Sequence, residues 1–177
     1  MGAMNDTELG SETTVYVDFD GVFNSFEPDV NRLARRTGWG GWCDIDSMFR
    51  SDDASHRLRV SRDRNAAMRS LPGASLVWLT SWWVSPVDLY RATGIGAPVI
   101  TPHSDAQSAG WKAQAIEVAH QTNDRFIWID DQDIPKGFGR RYPNALMVRP
   151  SPILGMSLSD VEAITAYLGR SGEASII

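Results

Sequence analysis

Cysteine is almost absent: Cys43 is the only one in 177 residues. No internal disulfide can form, and such usage fits a reducing compartment, so a cytoplasmic location is expected. No apolar run approaches the roughly 18 residues of a membrane-spanning helix. The opening MGAMNDTELGSETT has neither a basic n-region nor an apolar h-region, so no signal peptide is expected there. Lysine is scarce too, with only Lys112 and Lys136 against fifteen arginines. His56, His103 and His120 show no ligand spacing and are assigned no chemistry. A net charge of −5 gives the whole chain no general attraction to nucleic acid. Internal repeats and low-complexity tracts are missing as well.

What remains is an ordinary globular composition, 42% hydrophobic and 22% charged, of a length that favours one domain. Residues 1–13 read as a frayed polar tail, 14–170 as a single domain and 171–177 as a C-terminal tail. Short apolar runs predict strands at TTVYVDFD, SLVWLTSW, APVITP, RFIWIDD and ALMVRP. Runs of this kind, rich in Val, Ile and Trp, suit strands buried on both faces of a parallel sheet. Helical patterns at 29–38, 61–71, 85–94, 110–122 and 157–169 alternate with them. Boundary chemistry agrees: Ser61 as a cap with Pro72-Gly73 as a stop, Ser85-Pro86 as a start and Gly94 as an end. Ser157 or Ser159 can cap the last helix, Ser159 forming a capping box with Glu162. The alternation predicts an α/β fold with a mostly parallel sheet, and ligands bind such sheets at the carboxyl ends of the strands.

About 50 residues separate the first strand from the second, more than one crossover needs. Residues 24–60 are expected to form a flap or small insertion over the site, with a short strand at 56–60. Nine arginines and five aspartates lie between Arg32 and Arg69. Charge runs usually mark a solvated face, and the alternative here is an electropositive rim beside an active site. Trp78, Trp128 and Trp111 fall at core positions. Trp39, Trp42, Trp82 and Trp83 either pack or offer surfaces on which a nucleobase stacks.

Polar residues gather where the strands end. The first strand delivers Asp18 and Asp20, the second Thr80 and Ser81, and the fourth Asp130 and Asp131, with Asp133 just beyond. Lys112 opens a helix after Gly110-Trp111. Carboxylates converging on one sheet edge repel one another unless a cation sits among them. A hard, oxygen-seeking ion such as Mg²⁺ fits, because it takes one or two carboxylates and keeps positions for water and phosphate. Lys112 and the Thr80 hydroxyl are then suited to phosphoryl oxygens.

Taken in order, VYVDFDGV, WLTSW, GWK and WIDD resemble the four motifs of the haloacid dehalogenase (HAD) superfamily, over roughly residues 14–150. DGVFN, WLTSWW, WK, WIDD and the ending ILGMSLSDVEAI look more narrowly like the small HAD domains associated with RNA-repair proteins. The resemblance implies a three-layer Rossmann-like core with a minimal cap. It implies Asp18 as a nucleophile forming an aspartyl-phosphate, and Asp20 as the acid and base for leaving group and water. Thr80, Ser81, Lys112 and Trp82 would meet substrate. Asp18, the Asp20 carbonyl and Asp130 would hold Mg²⁺, with the adjacent Asp131 in support of Lys112 or of metal-bound water. In many relatives the last two acids are further apart.

A small insertion leaves an open site, suited to a bulky phosphorylated substrate: an RNA or DNA end, a nucleotide or a phosphoprotein. A repair kinase or ligase is the partner such a domain would serve. Small-metabolite phosphatase and catalytically silent binding module remain alternatives. A signalling receiver domain also uses acids, Thr and Lys around Mg²⁺, but its phosphoacceptor ends a middle strand, where this chain has Thr80.

Overall fold

The computed structural model describes residues 12–51, 54–80, 86–102 and 110–170. Strand β1 (Thr13–Val17) lies at the centre of a five-stranded parallel sheet with β4 (Ala74–Leu79), β5 (Val99–Ile100), β6 (Phe126–Ile129) and β7 (Leu146–Val148). The order is β5-β4-β1-β6-β7. β1 has a neighbour on each side and helices over both faces, so Val15 and Val17 are fully buried and Tyr16 nearly so. That double burial is why its sequence is a continuous apolar run.

Helices α1 (Val30–Thr37), α2 (Arg62–Arg69), α3 (Pro86–Thr93), α4 (Trp111–Ala119), α5 (Phe138–Arg141) and α6 (Leu158–Gly169) alternate with the strands. Met68 of α2, Leu89 of α3 and Val161, Ile164 and Leu168 of α6 join Val15, Val17 and Ile129 in one core. Ala113 and Ile116 of α4 and Phe138 of α5 pack with Tyr16, Phe126 and Trp128 in the other. The fold is thus α/β in three layers, consistent with a Rossmann-like arrangement. The chain builds outward from β1 to β5, then recrosses the sheet to β6. The carboxyl ends of β1 and β6 therefore flank a topological switch point, where such sheets bind ligands.

Local chemistry sets the helix ends. Asp29 Oδ1 accepts from the Asn31 and Arg32 amides at 2.9 and 3.1 Å, and Ser61 Oγ from Arg64 N at 3.2 Å. At α6 the capping box is Ser157 with Asp160, not Ser159 with Glu162. The turn closed by Gly155 N to Ser151 O ends just before Ser157, so the helix starts earlier than the second serine.

Residues 24–60 contain α1 and an antiparallel hairpin, β2 (Trp42–Ser51) and β3 (Ala54–Ser61), rather than one short strand. Trp42, Ile45 and Leu58 carry its apolar face into the first core. Trp39 is buried there too, its indole N–H donating to Met156 O at 3.0 Å, so packing is the observed role of these two tryptophans. Trp78 and Trp128 are core, as the sequence predicts. Trp82 and Trp83 lie outside the described residues, as do the tails 1–11 and 171–177. No described helix is long and apolar enough to cross a membrane.

Candidate active site

Strand register assembles the site. Val17 pairs with Trp78 on one side and Ile129 on the other, so the residues that follow emerge side by side. Asp18 N still donates to Ile129 O at 3.0 Å, and Asp130 N to Val148 O at 3.1 Å. Both carboxylates are thereby fixed at the sheet edge by backbone that remains in the ladder. Thr80 is fully buried one residue past β4, its amide donating to Ile100 O at 3.4 Å.

Lys112, in the first turn of α4, reaches into this edge and is 1% exposed. Its Nζ lies 2.5 Å from Asp18 Oδ2, 2.7 Å from Asp130 Oδ2 and 2.9 Å from Asp133 Oδ2. The ammonium donates hydrogen bonds to Asp18 and Asp130, and Asp133 adds an ion pair. The outer oxygens are occupied as well. Asp18 Oδ1 accepts from Phe19 N at 2.7 Å, and Asp130 Oδ1 from the Gln132 and Asp133 amides at 3.0 and 2.6 Å. That last pair of bonds curls the chain after β6 and swings Asp133 back onto Lys112.

The electrostatics are those of a coupled cluster. Burial pushes the Asp18 carboxyl up to about 7, with Lys112 pulling it down and Asp130 adding to the rise. Burial works against the charge on Lys112, but Asp18 and Asp130 outweigh it and raise its pKa above the ordinary lysine value. Lys112 therefore stays an ammonium.

Asp20 projects from the turn after β1. Asn24 Nδ2 donates to its Oδ1 at 2.7 Å, and Asn24 Oδ1 accepts from Arg59 N of β3 at 2.9 Å. Gly21 makes the turn with φ of 64°. A Cβ there would come within 2.4 Å of the Asp131 carboxyl carbon, so glycine is needed both for the backbone and for the space. Arg64 of α2, fully buried, donates from Nη2 to Phe23 O in the same turn.

Carboxylate oxygens of Asp18, Asp130 and Asp133 all lie within 4.8 Å of one another. An all-oxygen donor set of this kind fits a hard divalent cation. The predicted residues Asp18, Asp130 and Lys112 come together directly, with Asp20 in the turn after β1 and Thr80 at the end of neighbouring β4. Asp131 does not join them: neighbouring residues leave a strand on opposite faces, and its carboxylate faces Gly21 and the Gln132 amide, 2.9 Å away. Asp133, rather than Asp131, is the third acid beside Lys112. Ser81 lies, like Trp82, outside the described residues. The link from Asn24 to Arg59 and that from Arg64 to Phe23 carry no sequence signal, since they span 35 and 41 residues along the chain.

Comparison of the chain with family models, curated proteins and solved structures returns no match.

Proposed function

We propose that this chain is a phosphomonoester hydrolase of haloacid dehalogenase type. The observation that carries the reading is Lys112, held at one sheet edge by Asp18, Asp130 and Asp133, with Asp20 two residues beyond Asp18. Asp18 is the nucleophile: its carboxylate oxygen bonds to phosphorus as the ester P–O bond breaks. Asp20 gives a proton to the departing oxygen, then accepts one from the water that attacks the aspartyl-phosphate. That second attack breaks the bond between Asp18 and phosphorus and releases inorganic phosphate. Lys112 offsets the charge of the nucleophile and of the phosphoryl oxygens, and Thr80 supplies a further hydrogen bond to them.

Mg²⁺ is the cofactor this reading calls for, held by Asp18 and Asp130 with the Asp20 carbonyl, and with Asp133 at hand. When bound, the ion neutralises phosphoryl charge as it develops. A burial-raised Asp18 is poorly suited to attack while protonated, and cation binding would favour its ionised form.

The preferred substrate is a terminal phosphate on RNA or DNA, or a nucleotide. The domain would then act beside a repair kinase or ligase. Support comes from the four-motif resemblance and from a hairpin too small to enclose a metabolite as a full cap does. Phosphate release should be compared across 3′- and 5′-phosphorylated oligonucleotides, mononucleotides, sugar phosphates and a phosphopeptide. Asp18→Asn should lose activity down to the uncatalysed background while keeping its thermal midpoint. Substantial residual turnover in that variant would overturn the mechanism.

A further inference from the structure

Asn24 is 3% exposed, and both ends of its side-chain amide are committed. Nδ2 donates to Asp20 Oδ1 at 2.7 Å and Oδ1 accepts from Arg59 N at 2.9 Å. These neighbours settle which way the amide points. Turned over, it would set its NH₂ against a backbone N–H and its oxygen against a carboxylate. Main-chain bonds secure the same residue: Asn24 N to Phe19 O at 2.9 Å, and Gly21 N to Asn24 O at 3.1 Å. The next residue continues the attachment, Ser25 N donating to Arg59 O at 2.9 Å.

Arg59 is itself a fixed point. Its Nε and Nη2 donate to the two oxygens of Asp44 across the hairpin at 2.6 and 2.9 Å, and Nη1 donates to Glu27 O at 2.8 Å. A bidentate guanidinium–carboxylate pair has little rotational freedom. The chain of contacts runs from Asp44 through Arg59 and Asn24 to Asp20, and each link has one geometry.

We propose that Asn24 is a positioning residue that aims the Asp20 carboxyl at the leaving-group oxygen, and that the β2–β3 hairpin is the strut it braces against. This rests on the reading of Asp20 as the proton donor. The hairpin then serves the reaction itself, in addition to covering the core. With Oδ1 of Asp20 accepting from Nδ2, the orientation of the carboxyl is set before the proton is handed over. The hydrogen bond holds the carboxyl in one rotamer, so transfer needs no search.

A residue that acts through the proton donor leaves a signature that a merely structural residue does not. Departing alkoxides need a proton, whereas p-nitrophenolate leaves readily without one. Asn24→Asp is nearly isosteric, keeps an acceptor for Arg59 N, and replaces the donor facing Asp20 with a repelling oxygen. Its single-turnover rate of leaving-group release from the best alkyl phosphate of the oligonucleotide and nucleotide panel should fall at least about 10-fold, within the range of general acid catalysis. The single-turnover release of p-nitrophenolate from p-nitrophenyl phosphate, which precedes the step in which Asp20 serves the attacking water, should fall under about 3-fold. Should circular dichroism show Asn24→Asp unfolded, Asn24→Ala carries the same comparison. Equal losses on both substrates, or no loss on the alkyl phosphate, overturn the inference alone. Wild-type protein that hydrolyses no alkyl phosphate overturns the proposed function and the inference together.

Discussion

Lys112 and Arg64 are both fully buried cations, and their surroundings differ at every atom. The ammonium of Lys112 meets three carboxylates within 2.9 Å. Among the described residues the Arg64 guanidinium meets no acid. Nη2 donates to Phe23 O, while Nε and Nη1 have no partner among those residues. The Phe23 and Trp42 rings stand 5.4 and 5.2 Å from its central carbon and return part of the lost hydration as cation–π attraction. Burial accordingly drives Arg64 down to about 9, whereas the acids around Lys112 drive its pKa up. The contrast separates two uses of a buried cation. At Lys112 the charge itself is required, because three acids depend on it. At Arg64 one N–H reaches the turn between Asp18 and Asn24, and the charge is a burden.

Lys112→Met should expose the difference most forcefully. Removing one side of a buried ionic cluster typically costs about 3–5 kcal/mol, because the partner charges are stranded. Urea unfolding should show a loss of that size, and added Mg²⁺ should restore more stability to the variant than to wild type. A variant as stable as wild type without metal would mean the acids do not depend on Lys112. Arg64→Met is the opposite case: replacing an unpaired buried charge with an apolar chain of similar length should leave stability unchanged or raise it by up to about 4 kcal/mol. The pH dependence has a definite sign. Folded protein releases the Arg64 proton from about pH 9, below the ordinary arginine value, so the unfolded chain binds more protons above that point. The penalty is full below pH 9 and shrinks above it, and the advantage of the variant should shrink with it. A clear stability loss in Arg64→Met would show that the Phe23 contact outweighs the buried charge.

The two cations were unequally legible in the sequence. Lys112 stands out because lysine is scarce and GWK falls between two strands whose exits carry acids. Parallel strands end at one edge, so consecutive exits predict a shared site without any knowledge of contacts. β1 and β6 were readable for the same reason, being central and apolar throughout. Arg64 reads as one more arginine in a charged run; only the packing of Phe23 and Trp42 over it reveals burial. β2 escaped because WCDIDSMFRS mixes apolar and charged residues with no run to mark it, and α5 because four residues hold barely one helical turn. Asp133 was legible as an acid near the edge. Its return to Lys112 depends on two amides bonding Asp130 Oδ1, a turn that composition does not encode.

On the proposed function, a bound metal would be a second cation among the acids of Lys112, which sharpens the comparison. The Asp18 carboxyl, raised by burial to about 7, retains a proton that the unfolded chain loses near the ordinary aspartate value. Its contribution to stability is therefore full at low pH and lost as pH rises towards 7. A divalent ion must displace that proton, so Mg²⁺ affinity should weaken about 10-fold for each pH unit below 7. Calorimetry in two buffers of different ionisation enthalpy should detect release of up to one proton per ion at pH 6. Affinity flat between pH 5 and 7 would mean that Asp18 is already ionised in the metal-free protein.

The smallest effect on stability is expected at the outermost acid of the cluster. Asp130 is completely buried and the Asp18 side chain is 11% exposed, but the Asp133 side chain is 53% exposed. Water already solvates that carboxylate, so Asp133→Asn should cost under about 1 kcal/mol, as exposed ion pairs do. Lys112 would keep its two inner partners, and an amide oxygen could still face it. Metal affinity should respond differently. Asp133 lies with Asp18 and Asp130 in the group whose oxygens converge, whereas Asp131 faces Gly21. Asp133→Asn should therefore weaken Mg²⁺ binding more than Asp131→Asn, although the raised pKa of Asp131 reports that its carboxyl is also partly buried. Titration of both variants with Mg²⁺ decides it. A larger loss in Asp131→Asn would return the metal to the acid that directly follows Asp130, and would make Asp133 only an outer partner of Lys112.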